Sequence, residues 1–118
     1  MNKRILVVDD EKNIRLTIKR CLEPDRYTVY EAASGEESLD RLMLVPYDLV
    51  LLDLRLPGIS GTDMMARLSE LGVGAKIVVI TAHGTIELAE NTLKSGALDF
   101  VEKPFSPGEI RQIVAKYA

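Results

Sequence analysis

Polar and apolar positions along the chain alternate between two periods. Unbroken apolar runs stand at 5–8 (Ile5, Leu6, Val7, Val8), 49–52 (Leu49, Val50, Leu51, Leu52) and 77–80 (Ile77, Val78, Val79, Ile80). Short runs of this kind, bounded by polar or turn residues, fit strands buried on both faces of a parallel sheet. Two weaker segments predict shorter strands: 27–30, with Tyr27, Val29 and Tyr30, at a sheet edge, and 97–101, ending on Phe100 and Val101.

Between these runs, apolar residues recur at helical spacing. Ile14, Ile18, Cys21 and Leu22 form one stripe, which Pro24 stops. Ser34-Gly35-Glu36-Glu37 reads as a capping box opening a helix that buries Leu39, Leu42 and Met43. Ser60-Gly61-Thr62-Asp63 starts another, with Met64, Met65 and Leu68 inside and Gly72 and Gly74 at its end. A helix over 85–94 places Ile86, Ala89 and Leu93 on one face. Ser106-Pro107-Gly108-Glu109 caps the last, whose stripe is Ile110, Ile113, Val114 and Tyr117. About five strands alternating with five helices, joined by right-handed crossovers, predict an α/β doubly wound sandwich of three layers. No repeat or linker interrupts the pattern, so 1–118 is read as one domain.

Composition narrows the function. Hydrophobic residues make up 47% and charged residues 28%, within the range of soluble globular domains. A net charge of −3 argues against direct nucleic-acid binding, which needs a basic face. No apolar stretch approaches the ~20 residues that span a membrane. Met1-Asn2-Lys3-Arg4 leads into a short apolar run and two aspartates, which is not a signal peptide. The single cysteine, Cys21, excludes an internal disulfide framework and fits a reducing cytoplasm; on a helix stripe it is read as packing.

The candidate chemistry lies where the strands stop. Asp9-Asp10, Asp53, Thr81 and Lys103 all fall at or just after predicted strand ends, and the sandwich gathers those ends along one rim. Asp9 and Asp10 could cap the first helix. One cap needs one aspartate, however, and three clustered carboxylates repel unless a cation relieves them. A hard divalent ion such as Mg²⁺ does so. Asp53, backed by an apolar strand, is a rigid mount for a carboxylate nucleophile, which can accept a phosphoryl group as an acyl phosphate. Lys103 could be a solvated surface lysine, but Pro104 after it restricts its backbone and raises the share of cis bonds. At the rim, its ammonium would pair with Asp53 or a phosphoryl oxygen. Thr81 either bonds nearby backbone or donates its hydroxyl to that oxygen. His83 in its loop reads as neither metal ligand nor base, Arg55 as solvated, Phe100 as half-buried, and Glu36, Glu37 and Glu109 as helix-start acids.

Val7-Val8-Asp9-Asp10-Glu11, Asp53-Leu54-Arg55-Leu56-Pro57-Gly58, Thr81-Ala82 and Lys103-Pro104-Phe105 together make the chain resemble the receiver domain of two-component response regulators. The resemblance covers essentially the whole chain. It implies a flavodoxin-like fold of strand order 2-1-3-4-5, with Asp53 phosphorylated by a histidine kinase or phosphotransfer protein. It implies Mg²⁺, with Mn²⁺ able to substitute, bound by Asp10, Asp53 and the Arg55 main-chain carbonyl, and by Asp9 through water. Thr81, the Ala82 main chain and Lys103 would bind the phosphoryl group, and Thr81 with Phe100 would form the switch. Arg55 and His83, each two positions past a site residue, would tune phosphoryl lifetime. Such a domain is no enzyme beyond its own phosphorylation and dephosphorylation.

The segments 81–85 and 99–105 further resemble receivers of transcription activators with an attached ATPase and DNA-binding domain. Neither a G-x-x-x-x-G-K-[ST] loop nor a basic recognition helix occurs here. A receiver cut from a longer protein, with its output domain C-terminal, and a freestanding one both fit. Phosphorylation-dependent pairing of two copies through the fourth helix and fifth strand is a further expectation of the resemblance.

Three competing readings fit less well. A dehalogenase-like phosphohydrolase needs a second acid where Arg55 stands, and a cap for which no sequence is spare. A flavin or nucleotide module needs a glycine-rich loop after the first strand. A receiver-like interaction domain that never takes phosphate has no need of the acids, Thr81 and Lys103.

Overall fold

The computed structural model describes residues 2–82 and 86–118, the side chain of Ile86 excepted. Strands β1 (Lys3–Val8), β2 (Tyr27–Ala32), β3 (Leu49–Asp53), β4 (Ile77–Thr81) and β5 (Asp99–Glu102) form one parallel sheet in the order β2-β1-β3-β4-β5. Helices α1 (Lys12–Leu22), α2 (Gly35–Leu44), α3 (Gly61–Glu70), α4 (Ile86–Lys94) and α5 (Pro107–Tyr117) complete the expected flavodoxin-like sandwich.

Strand alternation sorts the apolar runs into two cores. Ile5, Val7, Leu49 and Leu51 face α1 and α5, meeting Ile18, Leu22, Ile110 and Val114. Leu6, Val8, Val50 and Leu52 face the other way, onto Leu42, Met64, Met65 and Leu68. Full burial of such a side chain stabilises by about 1.5–3 kcal/mol, so the central strands are rigid supports for whatever stands at their ends. Strand order reverses between β1 and β3, and in such sheets the crevice at that reversal is where ligands bind.

Local chemistry explains most boundaries. Ser34, Ser60 and Ser106 each accept a backbone N–H three residues on, and Glu109 completes a capping box with Ser106. Glu37 does not close the box on Ser34; its carboxylate accepts the N–H of Ala33 at 3.0 Å instead. Pro24 lies in a 3₁₀ turn, Glu23–Asp25, directly after α1. Gly72 ends α3 at φ 69°, the left-handed conformation that glycine tolerates.

Two helix faces differ from expectation. Met43 is exposed, because α2 presents Gly35, Ser38 and Leu42 inward and Met43 lies one step around from Leu42. Leu93 is also exposed, and its neighbour Thr92 is buried in its place. Thr92 tolerates this because its hydroxyl donates back to the Ala89 carbonyl at 2.9 Å. The fifth strand begins at Asp99 rather than 97, although Ala97 is buried.

Candidate phosphoacceptor site

Three strand ends deliver the charged groups. After β1, the Asp9 N–H donates to the Ala32 carbonyl at 3.1 Å, continuing the ladder for one more residue. The Asp9 carboxylate accepts the Glu11 N–H at 2.9 Å. Arg15 on α1 donates to the Asp9 carbonyl at 2.6 Å while pairing with Glu31 at 3.0 Å. The N-cap of α1 is Glu11, and it makes no side-chain cap, so neither aspartate occupies the capping position. Asp9 is 2% exposed, whereas Asp10 faces solvent.

Asp53 is the last residue of β3 and is 6% exposed. Its Oδ1 accepts the N–H of Arg55 at 3.0 Å, which ties the carboxylate to the loop that follows. Lys103 comes just after β5, where its N–H donates to the Thr81 carbonyl at 2.8 Å, and its bond to Pro104 is cis. From there its ammonium reaches Asp9 Oδ2 at 2.7 Å and Asp53 Oδ2 at 3.0 Å. Burial alone would lower the Lys103 pKa; the hydrogen bonds and charges of Asp9 and Asp53 outweigh it and hold the ammonium above its ordinary value. The expected lysine therefore contacts both acids, not Asp53 alone.

One carboxylate oxygen each from Asp9, Asp10 and Asp53 lies within 4.8 Å of the others. An all-oxygen, carboxylate-rich set suits a hard cation such as Mg²⁺ and is a poor match for soft metals. Beside it is a hollow of about 190 Å³ lined by Asp10, Glu11, Asp53, Arg55, Thr81, Ala82 and Lys103. The hollow therefore sets carboxylates that could bind a metal beside a cation and a hydroxyl. A larger hollow, of about 330 Å³, lies between β5 and α5, away from this chemistry.

Thr81 ends β4 and is buried. It faces Glu102 in register, as Val79 faces Phe100, so Thr81 and Phe100 lie on the same face of neighbouring strands. Phe100 is half-buried, packed against the core on the α3 side. Arg55 is exposed at the mouth of the hollow. His83 lies outside the described residues, as does Thr85.

Arg15 and Glu36 make side-chain contacts to backbone groups near the site that no motif marks. Arg15, paired with Glu31, holds the Asp9 carbonyl. Glu36, expected to serve the helix start, reaches out of α2 to accept the Ile59 N–H at 2.9 Å. That bond, followed by the N–H of Glu36 itself, draws its carboxyl below the usual range.

Comparison with known proteins follows the same residues. The family described as response regulator receiver domain matches residues 5–115. Sporulation initiation phosphotransferase F of Bacillus subtilis is 34% identical over 117 residues, covering 99% of this chain and 94% of that protein. The alginate biosynthesis transcriptional regulatory protein AlgB of Pseudomonas aeruginosa is 37% identical over 113 residues, 96% of this chain but 25% of that longer protein. Among solved structures, the signal receiver domain of a LuxO repressor protein from Vibrio parahaemolyticus superposes with a TM-score of 0.95 at 27% identity, covering 99% of this chain and 90% of that one. Fold, rim chemistry and relatives agree: the chain belongs to the receiver domains of two-component response regulators, the signalling modules of phosphorelays.

Proposed function

We propose that Asp53 accepts a phosphoryl group from a histidine kinase or phosphotransfer protein and that the aspartyl phosphate switches the domain. The observation that carries this reading is the Lys103 ammonium bridging Asp9 and Asp53, beside a hollow that also holds Asp10 and Thr81. An Asp53 carboxylate oxygen attacks phosphorus, the new O–P bond forms, and the donor's N–P bond breaks with its electron pair returning to the imidazole. Lys103 is already within reach of that carboxylate, so it meets the incoming phosphoryl oxygens without reorganisation. The Thr81 hydroxyl and Ala82 N–H take the remaining oxygens. Asp10, Asp53 and the Arg55 carbonyl would hold Mg²⁺ or Mn²⁺, with Asp9 acting through water, and the ion when bound would neutralise charge on donor and acceptor.

Thr81 turning toward the phosphoryl group opens space for Phe100, which biases the surface of α4, β5 and α5. That surface then acts on an output domain, in a cytoplasmic regulator of transcription, or on a second phosphorylated copy. Equal sedimentation of the phosphorylated and unphosphorylated protein would remove the second-copy route.

The test is incubation with acetyl phosphate and Mg²⁺ followed by intact mass. One added phosphoryl group is expected, absent in Asp53→Asn and absent with EDTA. No adduct on folded protein, together with no response to beryllofluoride, would instead support a phosphate-independent interaction domain.

A further inference from the structure

The loop between β3 and α3, residues 54–60, carries the backbone that serves the site, yet it has no regular structure of its own. Its Arg55 N–H holds one oxygen of Asp53, and its far end is closed by the Gly61 N–H on the Leu54 carbonyl at 3.1 Å. Between those two ties comes Pro57, which has no N–H to give, and then Gly58 at φ 73°. There the loop meets α2. Glu36 Oε1 accepts the Ile59 N–H at 2.9 Å, and a Cβ on Gly58 would come within 2.7 Å of the same oxygen. Gly35, next to Glu36, packs so close that a Cβ there would collide with the Ile59 side chain. The first turn of α2 is thus fitted to this loop at two adjacent positions, with a carboxylate in hydrogen-bond contact and a bare Cα beneath it. Dipole chemistry at a helix start requires neither.

We infer that Glu36 is a positioning residue for the metal centre: by anchoring Ile59 it fixes the 54–60 loop, and with it the Arg55 carbonyl and the Asp53 carboxylate toward Mg²⁺. The inference rests on the assignment of Asp10, Asp53 and the Arg55 carbonyl as the Mg²⁺ site. Glu36 itself does not touch the ion. Its effect passes through an accepted hydrogen bond, so an uncharged acceptor of the same shape should preserve most of it, whereas a field effect of its charge would be lost with the charge.

That difference sets the experiment. Mg²⁺ is titrated calorimetrically into the wild-type chain, Glu36→Ala and Glu36→Gln, and exchange of the Ile59 amide is followed by NMR; circular dichroism melts check that each is folded. Glu36→Ala should bind Mg²⁺ about tenfold more weakly, the lower end of what losing an outer partner of a metal ligand costs. Its Ile59 amide should exchange faster, and Glu36→Gln should remain within about threefold of the wild type, one neutral hydrogen bond in place of a charge-assisted one. Wild-type affinity in Glu36→Ala, or equal losses in both variants, would overturn the positioning role while leaving the metal site intact. If the wild type takes up no Mg²⁺, the assignment of the metal site fails, and the role of Glu36 falls with it.

Discussion

The two halves of the rim are held very differently. On the β1, β3 and β5 side, both carboxylate oxygens of Asp9 and both of Asp53 have partners: Glu11 N–H and Lys103 for one, Arg55 N–H and Lys103 for the other. On the β4 and α4 side, Thr81 is buried, but Phe100 is half-buried at the edge of the core on the α3 side and lines the hollow between β5 and α5. Beyond it α4 leaves Leu93 45% exposed. A closed ionic network resists rearrangement, whereas a half-buried ring beside free volume can change place at small cost. In the proposed function, chemistry belongs to the rigid half and response to the adjustable one.

The largest effect belongs to Lys103. Replacing it with Met leaves two buried carboxylates without their cation, and such breakage costs about 3 kcal/mol or more. Urea unfolding in EDTA should show that loss, with Mg²⁺ restoring part of it, while Phe100→Leu changes stability by about 1 kcal/mol, as small hydrophobic swaps do. Equal costs for the two would erase the contrast.

The same network predicts a pH dependence. The Lys103 pKa is raised in the folded chain above its ordinary 10.5, so its contribution is complete below about that pH and is lost as pH rises through the folded value. Melting between neutral and strongly alkaline pH should therefore fall more steeply for wild type than for Lys103→Met. Parallel curves would mean that the ion pairs contribute nothing.

Thr81→Val should cost about 1 kcal/mol, the scale of one hydrogen bond, and still allow phosphorylation of Asp53. What it should abolish is the shift of backbone resonances in α4 and β5 after phosphorylation, read by NMR. Persistence of those shifts would place the switch elsewhere. The smallest effect is expected from Arg55, exposed at the mouth of the hollow, together with His83. Arg55→Ala combined with His83→Ala should change the hydrolysis rate of the aspartyl phosphate several-fold by altering water access, less than one charge-assisted hydrogen bond is worth. An unchanged rate would remove both side chains from lifetime control.

How much of this was readable beforehand depends on the kind of signal. The buried strands announced themselves as four-residue apolar runs, and the rim followed because parallel strands must place their ends together. The structure gathers Asp9, Asp53, Thr81 and Lys103 at one rim, as position and chemical type predict. Met43 and Leu93 were placed wrongly, since a helical stripe read from spacing is uncertain by one step around the axis. The small residues Gly35 and Ser38 and the self-satisfied hydroxyl of Thr92 decided the rotation. The supports from Arg15 to the Asp9 carbonyl and from Glu36 to the Ile59 N–H were invisible for a different reason. They join side chains to backbone groups 6 and 23 residues away, and every residue offers such a group, so no motif marks the partner.

The most direct test is an NMR titration of the folded chain with beryllofluoride and Mg²⁺, comparing wild type with Asp53→Asn. Saturable shifts are expected at Asp53, Thr81 and Lys103, extending through Phe100 to α4 and α5 and leaving the far edge at β2 quiet. In Asp53→Asn all of them should vanish. Absent shifts in the wild type, or shifts that survive loss of the Asp53 carboxylate, would contradict the assignment of this rim as the phosphoryl acceptor.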